Sequence, residues 1–219
     1  MKKHYKLFFI ALAIGIILVY FVHSYYQTKM DAYDILKKER FVLVQDKNDW
    51  GKGWSTGVGF DLKDKELYSS YFIVIKKDKL YGGYGNYGTK EMYQRALNRE
   101  ISSILVNLKI SPNEIKKNNY QITRSPDSLV NKELLKEKYP PEFEAIYLNK
   151  KRQFTKVRIT YNKEFLPTKI EWYYKGSEGL KWYTWRTYSY PFKNKAEFDK
   201  KLDEEIEDIK EIQEENKGD

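Results

Sequence analysis

Leu7–Val22, LFFIALAIGIILVYFV, is an unbroken apolar run of sixteen residues with no charge in it. Lys2, Lys3 and Lys6 precede it, and the next lysine is Lys29. A bilayer crossing takes roughly 17–25 residues at about 1.5 Å each. Ser24, Tyr25 and Tyr26 extend the run into the interfacial layer, where tyrosine is favoured. Flanks rich in lysine stay cytoplasmic, so the chain reads as a cytoplasmic basic tail over 1–6 and a transmembrane signal-anchor over 7–26. A linker helix over 27–40 and an extracytoplasmic domain over 41–219 follow. A cleaved signal peptide shares the basic start and apolar middle. Val22-His23-Ser24 is the nearest to a cleavage site, but Tyr20 and Phe21 are bulky and no A-x-A pattern follows. No cysteine is present to carry a lipid.

Composition bounds what the outer part does. The chain has 219 residues and a formal charge of +9, and without the three lysines ahead of the anchor the balance is +6. That bias suits an acidic protein partner, an anionic wall polymer or a lipid head group. Nucleic acid is not expected across a membrane. Twenty tyrosines and five tryptophans fit strands, which favour aromatics, and binding surfaces, which are enriched in them. With no cysteine the domain has no disulfides, which fits a Gram-positive surface better than a eukaryotic secretory route.

The pattern after the anchor predicts an α+β fold: an antiparallel sheet, a helix packed across it and a C-terminal amphipathic helix. Strands are expected over 41–45, 56–62, 67–76 and 80–84, a meander by their spacing. Thr89 is the expected N-cap of a helix over 90–108, whose stripe is Tyr93, Leu97, Ile101, Ile104 and Leu108. Ser111-Pro112 is expected to end it. A short strand over 120–123 and a polar helix over 128–139 follow. Further strands are expected over 143–149, 153–161, 168–175 and 180–190. Asn194 and Glu197 form a capping box ahead of a helix whose seam is Phe198, Leu202, Ile206, Ile209 and Ile212.

Within the late strands Val157, Ile159 and Tyr161 share a face with Ile170, Trp172 and Tyr174, while Lys156, Arg158, Lys169 and Tyr173 share the other. Over 180–190 neither face is cleanly apolar. Simple alternation pairs Trp182 with Tyr188 on one side and Tyr183 with Trp185 on the other. Either that surface is a wet face of aromatics and cations, or the C-terminal helix covers it.

Catalytic motifs are scarce. His4 and His23 are the two histidines, so the outer domain has neither histidine nor cysteine, which removes Ser-His-Asp and Cys-His sites and the usual zinc sites. No P-loop, G-x-S-x-G or dinucleotide fingerprint occurs. Asp46, Asp49, Asp61 and Asp64 could gather around calcium but lack EF-hand spacing. Glu142 with Glu144, or Glu164 with Glu171, are glycosidase-like pairs of the kind a charged chain supplies by chance. No catalytic residue, metal or cofactor is expected.

This plan, an anchored, cysteine-free outer domain of strands and aromatics without a catalytic set, resembles the TipC family of immunity proteins. The resemblance implies a curved antiparallel sheet outside the membrane that neutralises a secreted LXG-type toxin of the TelC kind. It rests on architecture, and no family residue is transferred. The partner-binding candidates come from composition, since tyrosine, tryptophan and arginine dominate binding hot spots: Lys156, Arg158, Trp172, Tyr173, Trp182, Tyr183, Trp185 and Arg186. A VirB8-like assembly component of a secretion or conjugation machine, and a wall-polymer or lipid-binding module, are the alternatives.

Overall fold

The computed structural model describes residues 2–31, 36–46, 56–82, 88–102, 109–125, 154–176 and 179–215. Helix α1 is Lys2–Gln27, and strand β1 is Met30–Asp31. Strands β2 (Phe41–Asp46), β3 (Thr56–Asp61), β4 (Glu66–Ser69), β5 (Ile73–Lys76) and β6 (Lys79–Gly82) follow. Helix α2 is Thr89–Leu97 and runs into a π-helical turn, Asn98–Ser102. Then come β7 (Lys109–Ile110), α3 (Pro112–Lys117), β8 (Gln121–Arg124), β9 (Phe154–Tyr161), β10 (Pro167–Gly176), β11 (Gly179–Ser189) and α4 (Lys195–Glu215).

Nine strands form one antiparallel sheet in the order β6-β5-β4-β3-β2-β11-β10-β9-β8. The first five and the last four each pair with their sequence neighbours. The two groups meet at one seam, where Leu43 to Asp46 pair with Ser189 to Arg186.

Alternation along the strands makes two faces. One face carries Val42, Val44, Val58, Phe60, Ile159, Ile170 and Trp172, and Tyr93, Leu97, Ile101 and Leu36 belong to the same core. On the other face Phe41, Tyr68 and Val74 meet Phe198, Leu202, Ile206 and Ile209 of α4. Phe198 stacks 5.1 Å from Phe41 and 5.8 Å from Tyr68. Tyr68 lies flat because its partner in β3 is Gly59, where a Cβ would come within 2.2 Å of the ring. The start of α4 has the expected box: Asn194 Oδ1 accepts from the Glu197 amide at 3.0 Å, and the Glu197 carboxylate accepts from the Lys193 amide at 2.9 Å.

Helix α1 is long and apolar enough to cross a membrane over Ile10–Gln27, with none of that window buried against the rest of the chain. Its C-terminal end docks on the domain. Tyr26 meets Phe165 edge to face at 5.9 Å, and Met30 and Asp31 pair with Ile110 and Lys109.

Several expectations are corrected. The linker helix expected over 27–40 is interrupted by strand β1, which β7 draws into a pair. The strand expected over 67–76 is two strands, because Ser70–Phe72 turns with Phe72 at φ 56°. Thr89 is the first residue of α2, whose N-cap is Gly88 with no side-chain capping bond. Ser111-Pro112 starts a helix instead of ending one, since the Ser111 hydroxyl accepts from the Glu114 amide at 3.2 Å and proline suits the first turn. The helix expected over 128–139, the strand over 143–149, and Ile104 and Leu108 of the expected stripe lie outside the described residues.

Truncating Phe198 to alanine should cost about 3–5 kcal/mol in chemical denaturation, as for other fully buried phenylalanines. Ile212→Ala, at a seam position 37% exposed, should cost less than about 1 kcal/mol.

Candidate protein-binding face

Past the Ile170–Arg186 pair, β10 continues for six residues, Glu171–Gly176, and β11 runs beside it. At about 3.3 Å per residue this ribbon reaches roughly 20 Å beyond the end of β2. β9 accompanies it as far as Phe154, which pairs with Tyr174. The ribbon leaves the sheet at the edge opposite the docked end of α1, because the turn bearing Phe165 joins the other ends of β9 and β10.

On one side of the ribbon the side chains form a ladder. The Arg158 guanidinium lies 4.2 Å from the Trp182 ring centre, Trp182 is 5.2 Å from Tyr173, and the Lys156 ammonium is 5.8 Å from Tyr173. Glu171 holds the ladder in place: Arg158 Nε and Nη2 donate to its two oxygens at 2.8 and 3.0 Å, and Lys169 is 3.0 Å away. Burial alone pushes the Glu171 carboxyl up, but the hydrogen bonds from Arg158 and Lys169 and their charges outweigh it and hold it below its ordinary range. A bidentate pair of this kind fixes a guanidinium in one orientation, here flat over an indole.

The eight candidates therefore divide. Lys156, Arg158, Tyr173 and Trp182 share the ladder side, and Lys156 is exposed while the other three are half-buried. Trp172, Tyr183, Trp185 and Arg186 share the opposite side. Trp172 is 2% exposed and packs 5.2 Å from Trp185, which itself packs against the main core. These two are core residues, and Arg186 is buried in an ion-pair network, so none of the three is a free contact surface. Tyr183 is half-buried on the same side, 4.9 Å from the Lys181 ammonium.

A bulge explains why alternation misread β11. Trp185 and Arg186 together oppose Ile170, so the parity of the strand reverses there. Trp182 and Tyr188, placed together by simple alternation, lie on opposite sides. Helix α4 packs on β4, β5 and β6, which β3 and β2 separate from the strands that carry the ladder.

Two polar networks flank this region. Arg186, 4% exposed, meets Glu100 at 3.0 Å and Asp46 at 2.6 Å, and donates to the Arg99 carbonyl at 2.5 Å. Tyr188 donates from its hydroxyl to the Glu100 carbonyl at 3.1 Å. Burial pushes the Asp46 carboxyl up, against the pull of Arg186. Sequence reading missed Glu100 as a partner because it sits beside Ile101 in the stripe of the helix expected over 90–108. The π-helical turn, which helical periodicity does not foresee, begins just before it.

At the other edge Arg40 donates to Asp61 at 2.9 Å and to Asp64 at 2.5 Å, and Lys195 binds Glu66 and Asp199. Asp61, Asp64 and Glu66 lie close enough to share a cation, but Arg40 and Lys195 already neutralise them. The calcium quartet of the sequence does not assemble. Asp46 is at the far end of β2 from the partner of Asp61, and Asp49 lies outside the described residues. Of the carboxylate pairs, Glu171 is held by Arg158, Glu164 is exposed in the β9–β10 turn, and Glu142 and Glu144 lie outside the described residues.

Compared with protein-family models, curated proteins and solved structures, the chain matches none.

Replacing Arg186 by methionine strands Glu100 and Asp46, and should cost about 3–5 kcal/mol. Glu100→Met in the same chain should recover part of that loss in denaturant melts. Because the native pKa of Glu171 is lowered, its contribution is complete above about pH 4.3 and is lost as the pH falls through the native value. Glu171→Gln should therefore flatten the acid limb of the stability profile below about pH 4.3.

Proposed function

We propose that this chain is a membrane-anchored extracytoplasmic binding protein, an immunity protein that neutralises a secreted LXG-type antibacterial toxin by direct binding. On this reading α1 is a retained single span with its N-terminus in the cytoplasm. The sheet is the curved antiparallel surface of such a protein, and the domain binds without catalysing a reaction. The ladder of Lys156, Tyr173, Trp182 and Arg158 carries the proposal. It joins two aromatic anchors to two cations, the composition of a binding hot spot, on a ribbon that points away from the docked end of the anchor. A protector against a toxin acting outside the cell needs its contact surface there, and it needs affinity rather than turnover. The absence of histidine and cysteine from the outer domain supports the same reading.

The test is capture of secreted proteins from the producing strain by the detergent-solubilised chain, followed by co-expression. A single captured protein that is toxic when exported alone, and harmless when exported beside this chain, supports immunity. Recovery of membrane-machine subunits, or of anionic polymer alone, overturns it. Trp182→Ala should weaken capture by about 2 kcal/mol or more, roughly thirtyfold, with melting unchanged within about 5 °C, whereas Arg158→Ala should weaken capture and also lower the melting temperature, because it leaves the buried Glu171 with Lys169 alone. Trp172→Ala should instead lower the melting temperature through loss of core packing.

A further inference from the structure

The described turns at one end of the strands are rich in lysine. At the end where α1 docks, the turns carry exposed lysines: Lys63 and Lys65 between β3 and β4, Lys77 between β5 and β6, and Lys163 between β9 and β10. Lys116 and Lys117 end α3, which packs against α1 with Asn113 Nδ2 3.5 Å from Gln27 Oε1. The acids of these turns are Asp64, which Arg40 holds, together with Asp78 and Glu164. At the opposite end the β4–β5 turn, Ser70–Phe72, has no charge and exposes Tyr71 and Phe72.

The geometry says what faces that charge. Tyr26, at the end of the apolar span, touches Phe165 inside the Lys163 turn, so a bilayer crossed by α1 ends beside these lysines. A lysine within a Debye length of an anionic head-group surface, about 8 Å at physiological salt, adds to the attraction.

We propose that this lysine edge rests on anionic phospholipid head groups of the leaflet from which α1 emerges, holding the ribbon at the far side of the domain. The proposal rests on the reading of α1 as a retained span, and it is independent of what the ribbon binds.

The test uses the full chain in nanodiscs of phosphatidylcholine alone, or with about one third phosphatidylglycerol. The chain has no cysteine, so Asn118→Cys beside Lys117 and Leu180→Cys near the ribbon tip each take a single fluorophore. Quenching by a head-group-labelled lipid is read for both. At position 118 it should rise about twofold in the anionic discs, and the rise should vanish at about 0.5 M salt, where screening acts within about 4 Å. Position 180 should stay unquenched in every disc. The double variant Lys117→Glu, Lys163→Glu should lose the rise at position 118. Should it fail to fold, the salt dependence of the unaltered edge decides alone.

Equal quenching in neutral and anionic discs, or equal quenching at both positions, overturns the proposal. Displacement by soluble poly(glycerol phosphate) at matched phosphate assigns the edge to a wall polymer and also overturns it. Retention of the chain in the discs reports the span separately, and partner capture by the same discs reports the ribbon. A chain that leaves the discs defeats the proposal through its anchor, whereas a chain that stays but ignores lipid charge defeats it at the lysines.

Discussion

Arg186 is the tie on which the arrangement depends. It sits on β11, meets Asp46 on β2 across the seam, and reaches Glu100 in the π-helical turn above. One guanidinium thereby fixes three elements: the first group of strands, the second group, and the helix that covers them. A buried ion pair is a poor source of net stability, because desolvating its members offsets most of their attraction. Its value lies in selecting one arrangement, since a seam shifted by one residue strands a charge in the core. The apolar contacts around it tolerate sliding far better than Arg186 does.

The bulge beside it does related work. By turning Trp185 and Arg186 to the same side, it gives the core a second indole against Trp172 and still brings the arginine under Glu100. It also leaves Trp182 on the opposite side, next to Tyr173 and Arg158. Core and candidate contact face are thus separated by a single extra residue in one strand. Glu171 completes the separation by fixing Arg158 over the indole, so the ladder is ordered by an ion pair instead of by a covering helix.

Much of this was legible in the sequence. The apolar span, most of the strands, the box at Asn194 and Glu197, and the seam from Phe198 to Ile209 all follow from periodicity and capping chemistry. The faces of β9 and β10 were read correctly, with Lys156 and Arg158 opposite Val157 and Ile159. What failed was what periodicity cannot carry. A strand alternates only until a bulge, so Trp182 and Tyr188 were placed on one side, and Trp172, Trp185 and Arg186 stood among the contact candidates because composition alone chose them. A helix repeats only until a π turn, so Glu100 went unseen. The Ser70–Phe72 turn was missed because it holds no glycine or proline; its left-handed residue is a phenylalanine, the type least expected there.

The seam has a bearing on how the molecule comes to be folded. Arg186 and Asp46 are 140 residues apart in sequence, and β2, paired with β3 on one side, finds its second partner only in β11, the last strand in chain order. Contacts of such long range form slowly, because closure entropy is spent before any pairing compensates it. A chain emerging from its N-terminus has β2 to β6 in hand early, with the edge of β2 unpaired. An open edge is the feature through which strands of different molecules join. Until β11 arrives that edge is exposed, which makes this a chain well served by a folding helper that covers open strands.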